Sequence, residues 1–136
     1  MTKYYLDTSI LLDYYEKRGR NGEIALILIN KIRSEDILIY SDAHVMELKG
    51  LGYSKNEINK ILMILKSGIK HVHINKGQLE EARRLISYIR IPVRDALHAI
   101  LARDNEAILV SNDKHFQLLK YIVEIKKPLE LTELFL

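Results

Sequence analysis

Short apolar runs alternate with longer segments of helical periodicity along the chain, and this alternation restricts its fold more than any other feature. The runs are rich in Ile, Leu, Val and Tyr, a composition typical of buried strands. The predicted strands span residues 4–6, 37–40, 72–74, 107–110 and 121–125. Because a helical segment or turn separates each strand from the next, the pattern predicts an α/β fold built on a parallel sheet.

Polar side chains and a proline mark the starts of the predicted helices. Ser54 and Glu57 form the capping-box pattern of one helix, and Ser41 or Asp42 is expected to open another. Pro92 suits the first turn of a further helix, because a proline there loses no hydrogen bond. The predicted helices cover residues 8–17, 24–32, 42–49, 55–66, 78–88 and 92–103, with a short helical turn near residue 115.

Length and composition are consistent with one domain over residues 1–136, without linkers or repeats. The absence of cysteine excludes disulfide scaffolds, Cys-ligated zinc and a thiol nucleophile. A formal net charge of +3 permits a nucleic acid partner without requiring one. The longest fully apolar run, residues 24–29, is far shorter than the roughly 20 residues that span a bilayer. We therefore expect a cytoplasmic protein without a membrane segment or signal peptide.

An aspartate follows three of the predicted strands at the point where each strand ends. Asp7 follows the first strand, Asp42 the second, and Asp113 the strand at 107–110. The carboxyl ends of parallel strands meet at one edge of a sheet, where ligands bind in open α/β folds. Carboxylates held together there repel one another unless a cation neutralises them. Each aspartate taken alone could instead be a helix N-cap.

Two further carboxylates lie in apolar helical segments. Glu47 has apolar neighbours along its helix, so it either faces solvent or points inward toward a partner. Asp95 opens an apolar helix, where the helix dipole alone also favours a carboxylate. His98 follows one turn later on the same face, and we expect it to be a hydrogen-bonded core residue and not a metal ligand.

Clustered carboxylates offer only oxygen ligands, which selects hard cations such as Mg²⁺ or Mn²⁺. Other catalytic patterns are missing from the sequence, including a glycine-rich phosphate loop, His-Glu-x-x-His and the Gly-x-Ser-x-Gly elbow. The chemistry that remains natural to several acidic groups with a divalent ion is phosphodiester hydrolysis.

Four segments, in their order and spacing, resemble the PIN-domain ribonucleases, specifically the VapC-like toxins of toxin–antitoxin pairs. The segments are residues 6–13, 41–48, 95–99 and 109–116. The resemblance implies a three-layer α/β/α sandwich around a parallel, roughly five-stranded sheet. It assigns catalytic and metal-binding roles to four acidic residues with two supporting hydroxyls: Asp7, Glu47, Asp95 and Asp113, with Ser111 and Thr8. Asp42 stays outside this set as a helix cap, and Asp13 is expected to form a local surface pair with Lys17.

The same resemblance implies an Mg²⁺- or Mn²⁺-dependent endoribonuclease that hydrolyses RNA with a metal-activated water. Asp7 and Asp95 would hold the first ion, and Glu47 and Asp113 would complete or orient its ligands. The implied partners are an RNA substrate, a cognate antitoxin and a second copy of the chain. Candidate contacts to the RNA backbone are Lys17, Arg18, Arg20, Arg94 and Lys114.

Two other functions stay open at this level. One is a non-catalytic PIN-like module that binds RNA or protein, in which the acids only cap helices. The other is a phosphoacceptor receiver domain, although its acidic pair after the first strand and its late lysine are not evident here. Two surfaces also have alternatives: Tyr14, Tyr15 and Tyr53 either stack bases or pack locally, and the helix at 55–66 either mediates self-association or is buried in the core.

Overall fold

The computed structural model describes residues 1–32, 34–64 and 68–134. Five parallel strands form one sheet in the order β3-β2-β1-β4-β5. The strands are β1 (Lys3–Leu6), β2 (Ile37–Ser41), β3 (Ile69–Val72), β4 (Ile108–Val110) and β5 (Ile125–Lys126). The predicted α/β fold with a parallel, five-stranded sheet is therefore confirmed.

Helices connect all the strands, because a parallel pair needs a crossover connection. They are α1 (Thr8–Tyr15), α2 (Gly19–Lys31), α3 (Asp42–Gly50), α4 (Lys55–Leu62), α5 (Lys76–Ile86) and α6 (Val93–Asp104), with a 3₁₀ helix at Lys114–Leu119 between β4 and β5. A last helix, α7 (Pro128–Leu134), follows β5. Within the described ranges, none of these helices has the length and apolarity needed to cross a membrane.

Two separate apolar cores cover the two faces of the sheet. Tyr4 and Leu38 belong to the core formed with α1, α2 and α4, whereas their neighbours Tyr5 and Ile39 belong to the core formed with α5 and α6. Successive side chains along a strand point to opposite faces, so each strand contributes to both cores. The result is the three-layer sandwich that the resemblance implies.

The strand order creates a crevice between β1 and β4. The chain runs from β1 to β2 and β3 on one side, and then returns to place β4 and β5 on the other. Connections that leave in opposite directions from neighbouring strands open a crevice at the carboxyl ends of those strands. Asp7, which follows β1, and Ser111, which follows β4, therefore lie at the position where such folds bind ligands.

Several element boundaries differ from the predicted ones. β3 covers Ile69–Val72 instead of 72–74, because its backbone pairs with β2 from Leu38↔Ile69 to Ser41↔Val72. The last strand is reduced to Ile125–Lys126, which is the segment that pairs with β4, and α7 was not predicted. α5 begins at Lys76, two residues before the predicted start, because Asn75 and Gln78 form a capping box. Pro92 lies one position before α6.

Candidate active site

Asp7 and Ser111 meet across the β1–β4 pair at the centre of the sheet edge. The Asp7 amide donates to the carbonyl of Val110 at 2.9 Å. The Ser111 hydroxyl donates to Asp7 Oδ2 at 2.9 Å and accepts from the Asp113 amide at 2.9 Å. Ser9 donates to the same Asp7 oxygen at 2.9 Å. Asp7 is thus a buried carboxylate whose orientation is set by two hydroxyl groups.

Asp95 and Asp113 form the second part of the site, together with His115. His115 Nδ1 lies 3.5 Å from Asp95 Oδ2 and 3.5 Å from Asp113 Oδ1. Burial raises the pKa of Asp95, and the negative charges of Asp7 and Asp113 raise it further. Three aspartates from three separate segments of the chain therefore interact at one point. A cation between them would relieve this repulsion.

Glu47 reaches the same place from α3, and its carboxylate contacts two residues of α6. His98 Nε2 lies 3.2 Å from Glu47 Oε1, and Arg94 Nε lies 3.2 Å from Oε2. Burial alone would raise the pKa of Glu47, but hydrogen bonds from His98 and Thr8, together with the charge of Arg94, lower it to about 2. The two partners lie on either side of Asp95 along α6, so Glu47 contacts the helix that carries Asp95.

The chemistry of the side chains tests whether this set of residues fits a metal ion. The Thr8 hydroxyl is buried and faces the Glu47 carboxylate, where it contributes to the lowered pKa of Glu47. All four carboxylates and both hydroxyls supply oxygen atoms, so the residues fit a hard divalent cation such as Mg²⁺ or Mn²⁺.

A series of buried hydrogen bonds connects Glu47 through His98 to the core of the protein. The Tyr5 hydroxyl lies 2.6 Å from His98 Nδ1 and 2.7 Å from Ser41 Oγ. His98 is completely buried and uses both ring nitrogens, which confirms the expectation of a hydrogen-bonded core residue. When Tyr5 donates to Nδ1, the proton of His98 lies on Nε2 and points to Glu47. His98 therefore links the core to the site.

His44 and His115 are site components that the sequence reasoning missed. The Ser41 amide donates to His44 Nδ1 at 2.9 Å, so Nε2 donates to the Leu6 carbonyl, 2.7 Å away. Burial lowers the pKa of His44 to about 3, and the ring is neutral. It attaches the start of α3 to the end of β1, directly beside Asp7. For His115, its position two residues after Asp113 was the only available signal.

Asp42 does not cap α3, contrary to the prediction. The Ser41 hydroxyl accepts from the Ala43 amide and occupies the cap. The Asp42 side chain instead accepts hydrogen bonds from His71, His73 and the amide of Ile74, on and after β3. Ser41 occupies the N-cap position, and Asp42 is the first residue of the helix, where its side chain does not cap the helix.

The predicted surface pair of Asp13 with Lys17 is also wrong. Asp13 is buried, and its carboxylate faces Arg18 at 4.0 Å. α1 ends at Tyr15, and Lys17 has a φ of 54° in the left-handed region. In a helix, side chains four residues apart lie next to each other, but the helix ends before Lys17, so Lys17 is not placed beside Asp13 in this way.

The structure separates the five predicted RNA-contacting cations. Arg94 lies in the acidic site through its contact with Glu47, and Lys114 directly follows Asp113 at the start of the 3₁₀ helix. Arg18 faces Asp13, whereas Lys17 lines a cavity between α1 and α2. Arg20 is exposed on α2. Arg94 and Lys114 are thus the two cations placed beside the carboxylates.

Local packing accounts for the three tyrosines and for α4, for each of which the sequence allowed two interpretations. Tyr14, Tyr15 and Tyr53 are partly buried against the core that contains α1 and α2, and the Tyr53 hydroxyl also donates to Glu16. In α4, the apolar positions 58, 61 and 62 are buried in that core. Residues 65 and 66 of the predicted helix lie outside the described residues.

Comparison with known proteins agrees with this architecture. The VapC20 toxin of Mycobacterium tuberculosis, described as cleaving the sarcin–ricin loop, has a TM-score of 0.71 at 14% identity, covering 90% of this chain and 98% of its own. VapBC-1 of nontypeable Haemophilus influenzae has a TM-score of 0.70 at 20% identity, covering 94% and 99%. A toxin–antitoxin complex from Klebsiella pneumoniae has a TM-score of 0.66 at 18% identity, covering 92% and 97%.

These structural similarities establish a shared fold. No curated protein sequence is significantly similar to this chain. The family model of the PIN domain matches residues 4–120, a range that contains all four acidic residues of the site, both supporting hydroxyls and the sheet up to β4. The chain therefore belongs to the PIN domain family.

Proposed function

We propose that this protein is a divalent-metal-dependent endoribonuclease and the toxin of a toxin–antitoxin pair. The observation that carries the proposal is the convergence of Asp7, Asp95 and Asp113, of which the first two are buried, with an ionised Glu47 that contacts the helix of Asp95. A purely structural role does not explain two buried carboxylates that repel one another, because burial and like charge both disfavour their ionised forms.

Four residues would hold the metal. Asp7 and Asp95 would bind one Mg²⁺ or Mn²⁺ ion, and Glu47 and Asp113 would complete its ligands directly or through water. An ion of this kind, when bound, makes a coordinated water more acidic and offsets charge on the phosphate oxygens. A water nucleophile would leave products with a 5′-phosphate and a 3′-hydroxyl.

The surrounding side chains would keep these carboxylates in place. Ser9 and Ser111 donate to Asp7, which fixes the direction of its free lone pairs. His98 and Arg94 hold Glu47 in its ionised form. These hydrogen bonds would limit the reorganisation that the site undergoes when substrate and metal bind.

RNA would approach along the open side of the crevice. A cavity of about 370 Å³ lies beside Glu47 and Arg94 and is also lined by Met46 and Val93, which are exposed. Arg94, which contacts Glu47, and Lys114, which follows Asp113 in the chain, would contact phosphate oxygens. The sarcin–ricin-loop-cleaving toxin among the structures of the same fold supports RNA as the substrate class.

We further propose that the chain binds a cognate antitoxin protein and self-associates. Toxin–antitoxin complexes among the structures of the same fold support the antitoxin. Co-purification with the product of a neighbouring gene and sedimentation of the isolated chain would test these two associations.

RNA cleavage with Mg²⁺, Mn²⁺ or EDTA tests the proposed activity. The variants are Asp7→Asn and Asp95→Asn, with Glu80→Gln on the exposed face of α5 as a matched control. We expect metal-dependent products with 5′-phosphates from the wild type and the control, and none from the two site variants. Equal activity of all four proteins would contradict the assignment. Absence of cleavage by any of them, with retained RNA or antitoxin binding, would favour the non-catalytic module.

A further inference from the structure

A second cluster of metal-ligating groups lies outside the acidic site, at the edge of the sheet formed by β2 and β3. It consists of Asp42, His71 and His73, whose ligating atoms lie within 4.8 Å of one another. None of these residues takes part in the proposed hydrolysis. We propose that this cluster, called here the histidine site, binds one transition-metal ion of the Zn²⁺ class.

The sheet register brings the three residues together. His71 in β3 pairs with Tyr40 in β2, and the next pair is Val72 with Ser41. Asp42 and His73 each follow the last residue of that ladder, so they leave the sheet side by side. Residues two positions apart on a strand point to the same face, which places both imidazoles beside the Asp42 carboxylate.

The distances match those between ligands of one metal ion. Asp42 Oδ1 lies 2.8 Å from His71 Nε2 and 3.2 Å from His73 Nδ1. In a tetrahedral zinc site with bonds of about 2.0–2.1 Å, neighbouring ligand atoms are about 3.4 Å apart. An ion could therefore replace the imidazole protons that lie between Asp42 and the two rings.

Neighbouring groups hold two of the three ligands. The Ile74 amide donates to Asp42 Oδ2 at 3.1 Å, which turns Oδ1 toward the imidazoles. The ring of Tyr40 stacks on that of His71 with centroids 4.5 Å apart and planes 13° apart. Such outer contacts orient ligands in metal sites and reduce the cost of organising them. His73 is the most exposed ligand, with 75% of its side chain accessible.

The types of ligand select a metal different from that of the acidic site. Two imidazoles and one carboxylate suit Zn²⁺, Co²⁺, Ni²⁺ or Cu²⁺, whereas Mg²⁺ prefers oxygen ligands alone. Burial alone would raise the pKa of Asp42, but the Ile74 amide and both imidazoles lower it, so the carboxylate is already ionised. Three protein ligands leave a fourth position for water.

A bound ion would connect two elements of the fold. Asp42 is the first residue of α3, the helix that carries Glu47, and His71 lies in the edge strand β3. An ion shared between them would fasten the start of α3 to the sheet edge. Since an ion that binds only the folded chain stabilises it, Zn²⁺ is expected to raise the midpoint of thermal unfolding.

Zinc binding by the tag-free protein tests the proposal, with Mg²⁺ in excess to occupy the acidic site. Isothermal titration gives the stoichiometry and affinity, and the ring-proton NMR signals of the histidines identify the ligands. The variant is His73→Ala, which removes an exposed side chain and therefore few buried contacts of the folded chain. His115→Ala is the matched control in the acidic site. Each variant is also compared by circular dichroism.

We expect one zinc equivalent, shifts of the His71 and His73 signals, and a rise in unfolding temperature. His73→Ala should weaken binding by roughly tenfold or more, and His115→Ala should leave it unchanged. Retention of zinc by His73→Ala, its loss in His115→Ala, or no binding by the wild type at micromolar zinc would each overturn the proposal. These outcomes do not depend on RNA cleavage.

Discussion

The acidic site and the histidine site are built from the same topological element, yet they place carboxylates in opposite electrostatic surroundings. Both follow the carboxyl ends of neighbouring parallel strands. At the acidic site, burial and the charges of Asp7 and Asp113 raise the pKa of Asp95. At the histidine site, the Ile74 amide and two imidazoles outweigh the effect of burial and lower the pKa of Asp42.

The difference teaches that an aspartate near this edge of the sheet has no fixed chemical role. Asp95 lies among like charges and is suited to a hard cation supplied from solution. Asp42 already accepts hydrogen bonds from groups on and after β3, so it has partners without an ion. A softer metal ion would take the place of the imidazole protons that it now accepts. Neighbours contributed by other elements decide between these roles.

The largest expected effect is on catalysis. Glu47→Gln keeps the shape of the side chain but removes the charge beside Asp95, so we expect RNA cleavage to fall by roughly a hundredfold, or about 3 kcal/mol of transition-state stabilisation. Single-turnover cleavage rates in Mg²⁺ measure this, with Glu80→Gln as the control. A rate within a factor of two or so of the wild type would remove Glu47 from the catalytic set.

Acidification should weaken the region that both sites share, the start of α3. The pKa of His44 is about 3 in the folded chain against an ordinary value of 6.5, so the unfolded chain takes up the proton first. The stabilisation is fully present above pH 6.5 and is lost progressively as the pH falls toward 3. Urea unfolding across this range should show the loss, and His44→Gln should flatten it. An equal slope in both proteins would contradict the neutral, buried His44.

The support behind Glu47 is expected to matter for stability as well as for metal binding. His98→Phe removes the donor to Glu47 and leaves the buried Tyr5 hydroxyl with Ser41 as its remaining partner, so we expect a loss of about 2 kcal/mol in the free energy of unfolding. Mg²⁺ affinity should also fall by roughly tenfold. Tyr5→Phe, which keeps the contact between His98 and Glu47, separates the two effects: it should reduce stability but largely retain metal affinity.

The smallest expected effects have opposite signs in the two sites. In EDTA, Asp95→Asn removes one of three repelling charges and should raise the free energy of unfolding by about 1 kcal/mol. Asp42→Asn weakens three hydrogen bonds and should lower the free energy of unfolding by about 1 kcal/mol. Urea unfolding at neutral pH measures both. A change of the same sign in the two variants would break the electrostatic contrast between the sites.

Local signals in the sequence were sufficient for most of the fold. The apolar runs predicted β1, β2 and β4 closely, and the Ser54–Glu57 capping box formed as expected, because both depend on residues near one another in the chain. β5 and α7 were poorly anticipated. β5 has only two residues and is defined by its pairing with β4, which no local pattern contains.

The site residues divide in the same way. Asp7, Asp113 and Ser111 could be placed at one sheet edge because each lies within three residues of the end of a predicted strand. The partners of Asp42 and Asp13 could not be predicted, since His71 comes from an edge strand and Lys17 leaves the helical conformation. His44 gave no signal, because its role depends on the Leu6 carbonyl that the sheet places beside it.

By itself, the sequence therefore determined the α/β class, the strand ends and the oxygen-rich chemistry of the carboxylates that follow them, since periodicity and residue type are local properties. The tertiary structure decided which strands are neighbours, and with them which charges Asp95 and Asp42 face. The physical reason is that electrostatic interactions depend on separation in space. Strand order and register bring residues from distant parts of the chain to within a few ångströms.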